Sequence, residues 1–296
     1  MSVIIATHPG GFHADDLFAV AAIIIKLGEE TQVEIIRSRE PSDWEKADWV
    51  VDVGGKNDPE AGCFDHHQFG GAGKRDNGIP YASFGLVWKY LGEELTGGKK
   101  AAEIVDRVLV QPIDAEDNGV DLCRPIFQGV APYKIQNVFF ALQPNGEEIL
   151  ERDFDQVFKE ALVWAQTFLK REIKLACQKA EEFSRVAQAY RESEDKRVIV
   201  LEGDHAWKEV LVEKPEPLYV VYPRKEEGRW GVKAVPSGVV GFDLRRPLPA
   251  DWGGKQEEEL KKITGEPGAI FCHNKRFLCV ADSRQAAINL ARKALE

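Results

Sequence analysis

At 296 residues, with 44% hydrophobic and 30% charged side chains, the chain reads as a globular protein of one large domain or two ordinary ones. Its formal charge of −10 argues against a long, non-specific hold on duplex nucleic acid, which needs a basic face. Five cysteines, without a Cys-x-x-Cys pair, argue against a disulfide framework, and no apolar run reaches the roughly 20 residues of a membrane span. The first residues run straight into an apolar strand pattern, with no basic segment or cleavage site, so a reduced cytoplasm is the expected compartment.

Val3 to Ala6 is a short buried strand ending at Thr7-His8-Pro9-Gly10-Gly11, and the apolar run Phe12 to Leu27 is a helix stopped by Gly28. The turn Thr7 to Asp16 therefore joins a strand's carboxyl end to a helix N-terminus, where open α/β sheets place their ligands. Strands follow at Val33 to Ser38 and at Trp49 to Val53, the latter carrying Asp52 toward its carboxyl end before Gly54-Gly55. Ser83 is positioned to N-cap a helix from Phe84 to Leu95. A further helix runs from Lys99 toward Asp117, with a kink expected at Pro112. Strands alternating with helices predict a parallel sheet wound with helices.

From Glu151 to Ser193 the apolar residues Phe154, Val157, Phe158, Ala161, Leu162, Ala165, Phe168, Leu169, Ile173, Ala176, Ala180, Phe183, Ala187 and Tyr190 define one helical stripe in steps of three and four, and no Gly or Pro interrupts them. One long connecting helix is the preferred reading, two helices with a bend the alternative. After Asp195 short strands are expected at Val198 to Leu201, Glu209 to Val212, Leu218 to Tyr222 and Trp230 to Val235. A helix at Lys255 to Thr264, a hairpin of Ala269 to His273 with Phe277 to Ala281, and a helix from Ser283 to Leu295 close the chain. The predicted organisation is thus an α/β domain over 1–150, a connecting helix over 151–194 and a smaller mixed α/β domain over 195–296.

Only six histidines occur, and two stand side by side in Phe64-Asp65-His66-His67-Gln68-Phe69. Mixed carboxylate and imidazole donors suit Mn²⁺, Fe²⁺, Co²⁺ or Zn²⁺, although a polar loop whose histidines cap backbone groups would read the same way. Three further donor groups fall at strand or helix ends: His8, His13 and Asp15 in the first turn, Asp52 after the third strand, and Asp114 with Asp117 three apart on one helical face. A site for two divalent cations accounts for all four groups together.

Thr7-His-Pro-Gly-Gly-Phe-His-Ala-Asp15, Val51-Asp-Val-Gly-Gly55, Phe64-Asp-His-His-Gln68 and Ile113-Asp-Ala-Glu-Asp-Asn-Gly119 stand in the order of motifs in the DHH phosphoesterase superfamily. Together with Phe242-Asp-Leu-Arg-Arg-Pro-Leu-Pro249, Trp252, Glu258-Glu-Leu260 and Gly265-Glu-Pro-Gly268, they make nearly the whole chain resemble its melanocyte-proliferating-gene (MYG) exonuclease-like family. The resemblance implies a DHH-type catalytic domain, a helical linker and a substrate-binding domain. It implies His8, His13, Asp15, Asp52, His66 and one of Asp114 or Asp117 as ligands of two divalent metal ions, manganese foremost. Asp65 would bridge or orient the ions, and His67 would donate to a phosphate oxygen. Arg245, Arg246 and His273 become candidates for holding phosphate, against an exposed basic turn and a strand-end histidine as the plain alternatives. Trp207, Trp230 and Trp252 either stack on bases or pack in the core. Two departures stand out. His13 occupies a position where superfamily members usually carry Asp, and Phe277-Leu278-Cys279-Val280 replaces a glycine pair.

The expected activity is a metal-dependent phosphodiesterase, most like a 3′-5′ exonuclease on short RNA or nucleotides, with a homodimer left open. The rivals are a small-molecule or cyclic-dinucleotide phosphatase, a peptide hydrolase (without His-Glu-x-x-His) and a non-catalytic nucleotide-binding module.

Overall fold

The computed structural model describes residues 2–150, 153–224 and 228–296. They form two compact units, the first ending at Gln178 and the second beginning at Lys179.

In the first unit β1 (Val3–Thr7), α1 (Ala14–Leu27), β2 (Val33–Arg37), the short α2 (Pro41–Trp44), β3 (Trp49–Val51), β4 (Asn57–Asp58) and β5 (Cys63–Phe64) build one sheet and its first cover. The strand order is β2-β1-β3-β5-β4. The pairs β1–β2, β1–β3 and β3–β5 are parallel, while β4 runs antiparallel to β5. The sheet is therefore mixed rather than purely parallel. Its parallel core explains the apolar runs: Ile5 and Ala6 lie between two neighbouring strands and are fully buried. α1 covers the sheet through Leu17, Phe18 and Ile23, all at 0% exposure.

α3 (Ser83–Thr96), α4 (Lys99–Val105), α5 (Gln111–Asp117) and α6 (Ile135–Leu142) follow. The distortion expected at Pro112 takes the form of a π-helical turn, Asp106–Val110, between α4 and α5. Pro112 has no N–H to give and its ring crowds the carbonyl four residues back, so the turn upstream widens to admit it. Ser83 is not an N-cap. Ala82 holds that place, and the first amides of α3 find carboxylates from distant segments instead.

α7 is one unbroken helix of 39 residues, Phe154–Glu192, and the boundary between the units falls inside it. The predicted start at Glu151 lies outside the described residues. Val157, Phe158, Ala161, Leu162, Ala165 and Leu169 of its apolar stripe are buried in the first unit, and each large side chain contributes about 1.5–3 kcal/mol by leaving water.

The second unit holds β6 (Val198–Val200), α8 (Lys208–Leu211), β7 (Tyr219–Pro223), β8 (Trp230–Ala234), α9 (Glu257–Thr264), β9 (Ala269–Cys272), β10 (Leu278–Ala281) and α10 (Arg284–Lys293). Its sheet order is β6-β7-β8-β10-β9, with β6 parallel to β7 and the other pairs antiparallel. The predicted hairpin is β9–β10, and Ser283 does N-cap α10, accepting from the Ala286 amide. The strand expected at Glu209 to Val212 is instead the helical turn α8. Four residues are too few to distinguish the two periods, and one turn suffices to bury Leu211 against Ile199 and Val220. Trp207 and Trp252 are buried and Trp230 is half-buried against the core, so the three tryptophans serve packing. Among the described residues no helix is long and apolar enough to cross a membrane, and all five cysteines are free.

Candidate metal centre

Three parallel strands release their chains at the same edge of the first sheet, and each release carries donors. β1 ends at Thr7 and delivers His8, β3 delivers Asp52, and β5 delivers Asp65, His66 and His67. α1 begins at that edge with His13, Asp15 and Asp16. Asp52 has φ 57, a left-handed conformation rare outside glycine but tolerated by aspartate. Gly54 and Gly55 follow with φ 97 and 66, so the chain turns sharply after β3 while the Asp52 side chain stays buried.

Asp52 is the hub. Its carboxylate lies 3.4 Å from His8 Nε2, 3.3 Å from His66 Nε2 and 3.6 Å from His67 Nδ1. Asp117, at the end of α5, lies 3.1 Å from His66 Nε2 and 3.7 Å from His13 Nδ1. Three groups of donors could each hold a cation: His8, His13 and Asp52; Asp52, His66 and His67; and Asp15, His66 and Asp117. They share Asp52 and His66.

Asp15 is fully buried and accepts from the amides of Ser83 (3.0 Å) and Phe84 (2.7 Å) at the start of α3. The neighbouring Asp16, absent from the sequence-based candidates, is also fully buried and lies 3.1 Å from His8 Nε2. Its other oxygen accepts from the amides of His13 and Leu17, closing the first turn of α1. The doublet Asp15-Asp16 was its only signal in the sequence, and an acid in a helix's first turn usually serves the helix dipole.

Asp114 is not brought into any of the three groups. Arg75 grips one oxygen at 2.7 Å and the Gly85 amide the other at 2.9 Å. A Cβ on Gly85 would come within 1.9 Å of that carboxylate, so only glycine fits there. Asp65 also stands outside the groups. Its Oδ1 accepts from the amides of His66 (2.7 Å) and His67 (3.2 Å) and from His67 Nδ1 (2.7 Å), and its Oδ2 accepts from the Gly55 amide. It fixes the backbone of His66 and His67 and the His67 ring.

The electrostatics are those of a site short of positive charge. Burial, together with the nearby Asp52, Asp117 and Asp114, pushes Asp15 well above the carboxylate range, and burial raises Asp16 as well. Burial alone would lower His8 and His66. The carboxylates of Asp16 and Asp52 override it for His8, raising it to about 10, and those of Asp117 and Asp52 raise His66 to about 11. Thr7 Oγ1, His8 Nε2, Asp16 Oδ2 and His66 Nε2 are buried without a hydrogen bond. The two imidazole nitrogens thus meet carboxylates within ion-pair distance yet off hydrogen-bond geometry, which suits divalent cations between them.

The substrate candidates of the second unit fare differently. Arg245 donates to the carbonyls of Val212 (2.6 Å), Pro217 (3.2 Å) and Lys214, tying down the segment after α8. Arg246 donates to the Leu295 carbonyl at 3.0 Å. Backbone carbonyls thus engage both terminal nitrogens of Arg245 and one of Arg246. His273 packs at a tilt of 47° against Phe277, ring centroids 4.4 Å apart, and lines a cavity of about 920 Å³ with Trp207, Lys233 and Phe242.

By fold and site this is an α/β protein with a histidine–aspartate centre, able to hold metal ions, at the carboxyl edge of a largely parallel sheet. The chain belongs to the MYG1 family: the family model MYG1_exonuc, described as an uncharacterised protein family (UPF0160), matches residues 4–295. It is similar to the MYG1 protein of Caenorhabditis elegans, 30% identical over 332 residues that span 100% of this chain and 96% of that one. The MYG1 protein of Chlamydia pneumoniae is 31% identical over 301 residues, spanning 99% and 96% of the two chains. The human protein named MYG1 exonuclease is 28% identical over 325 residues, spanning 98% and 85%.

Proposed function

We propose that this protein is a metal-dependent phosphodiesterase of the DHH type, most like a 3′-5′ exonuclease on short RNA or oligonucleotides. The observation that carries the reading is the pair of buried, unbonded imidazole nitrogens, His8 Nε2 and His66 Nε2, set among the carboxylates of Asp16, Asp52 and Asp117. The exonuclease names of mammalian relatives support the same class.

His8, His13, Asp52, His66, Asp15 and Asp117 would hold two divalent cations, manganese being our choice for a mixed imidazole and carboxylate set. Bound there, the ions would supply an activated water and offset charge on the phosphoryl oxygens. The protein's own groups do the positioning. Asp65 locks the His67 ring through Nδ1, and that contact raises the His67 pKa, favouring the protonated imidazole. The side chain is 60% exposed, which leaves its far edge free to donate to a phosphate or departing oxygen. The net charge of −10 favours short substrates over long polyanions, and the free cysteines favour a reduced cytoplasm.

The test is incubation with labelled RNA, DNA and dinucleotides with and without Mn²⁺, followed by product identification. Manganese-dependent release of nucleotides is expected, with metal content and turnover both falling in His66→Ala. Peptide cleavage instead, or no dependence on metal, would overturn the reading.

A further inference from the structure

An anionic substrate at the metal centre needs a cation of the protein to meet its charge. Two arginines of the first unit, Arg75 and Arg37, are committed to other partners. Arg75 is paired with Asp106 and Asp114 at 2.8 and 2.7 Å. Arg37, its side chain only 2% exposed, donates to Asp155 (2.8 Å) and to the Gly10 carbonyl (2.6 Å), with Phe158 4.5 Å from its guanidinium carbon.

Arg39 is different. The Ser38 amide extends the β1–β2 ladder by bonding to the Thr7 carbonyl at 2.9 Å, one residue before His8. Ser38 is then pinned twice more, by Trp44 Nε1 on its carbonyl (2.9 Å) and by its own hydroxyl accepting from the Glu40 amide (3.1 Å). The backbone that carries Arg39 is therefore fixed at the same sheet edge that presents His8 and Asp52. Its side chain lines the cleft of about 490 Å³ whose walls include His8, Asp52, Asp65 and His67. Among the described residues lining that cleft it is the one lysine or arginine, and no ion pair or hydrogen bond of its side chain appears. An exposed arginine left unpaired beside several carboxylates is available to an incoming anion.

We propose that Arg39 holds the substrate's phosphate group in the cleft of the metal centre. This rests on the phosphodiesterase reading and adds to it the residue that captures the anion. The planar guanidinium offers two parallel N–H donors to phosphate, whereas lysine offers a point charge. A grip made equally in the ground and transition states acts on KM rather than on kcat.

Two measurements on wild type, Arg39→Met and Arg39→Lys test it. The first is calorimetric binding of inorganic phosphate to the manganese-loaded protein. The second is steady-state hydrolysis of bis(p-nitrophenyl) phosphate, with metal content measured in parallel. Losing one charged hydrogen-bonding partner should weaken phosphate binding and raise KM about ten- to a hundred-fold in Arg39→Met, with partial recovery in Arg39→Lys. Metal content and kcat should stay within about two-fold. Unchanged phosphate affinity in Arg39→Met, or no phosphate binding by wild type, overturns the proposal. If wild type binds phosphate through Arg39 yet cleaves no diester, the anion site stands and the phosphodiesterase reading falls.

Discussion

Asp65 has committed both oxygens to the protein before any ligand arrives, and that decides how its removal should read. Asp65→Asn keeps the shape but offers His67 an amide in place of a carboxylate, so the imidazole loses the partner that raises its pKa and orients it. The expected outcome is a fall in kcat of about a hundred-fold or more, with metal content unchanged because Asp65 lies outside the three candidate cation groups. Elemental analysis beside steady-state kinetics checks both halves. Loss of metal together with rate would instead make Asp65 a ligand. Residue identity in this site was legible where donors are rare in composition: a histidine pair after an acid could hardly be overlooked. That Arg75 holds Asp114 while Asp117 meets His13 and His66 was not, because both acids lie on one helical face and Arg75 is 39 residues from Asp114 in sequence.

At the scale of elements, strand and helix periods carried most of the fold. The failures came where an element is one turn long or is held by backbone acceptors. α8 is four residues, and the Arg245 guanidinium that secures the chain after it bonds only to carbonyls, which leave no trace in a sequence. Arg245→Ala should therefore destabilise the protein by about 1.5–3 kcal/mol, the usual effect of losing hydrogen bonds from a charged donor. Urea unfolding measures it, and phosphate affinity of the folded protein should not change. The start of α3 was misread for a related reason. A serine at a helix start suggests a cap, but the acceptors for these amides arrive from Asp15 and Asp114, far away in the chain.

For the whole molecule, the excess of buried acid gives stability a pH dependence. Burial raises Asp114 from its ordinary 3.8 to about 7, although Arg75 and the Gly85 amide pull the other way. A carboxyl whose folded pKa is raised binds its proton more tightly when folded. Its contribution is fully present below about 3.8 and is lost as pH rises through about 7. Through this group, metal-free wild type should therefore lose stability between about pH 4 and pH 7. Asp114→Asn, which has no proton to lose, should gain on wild type across that window. Thermal melts at several pH values test the sign, and a constant difference between the two proteins would contradict the raised value.

The carboxylates that close the start of α3 give the centre a second readout. Ser83 and Phe84 give their amide hydrogens to Asp15, which also belongs to one of the candidate cation groups. Opening that helix end requires the acid to let go, and a cation bound to Asp15 would restrain the acid. The two amides should then act as a clock for occupancy. Their exchange with deuterium should slow about ten-fold or more when manganese is added, while amides on the far side of the sheet keep their pace. Followed residue by residue, that exchange would report filling of the centre even in a variant with no turnover left to measure.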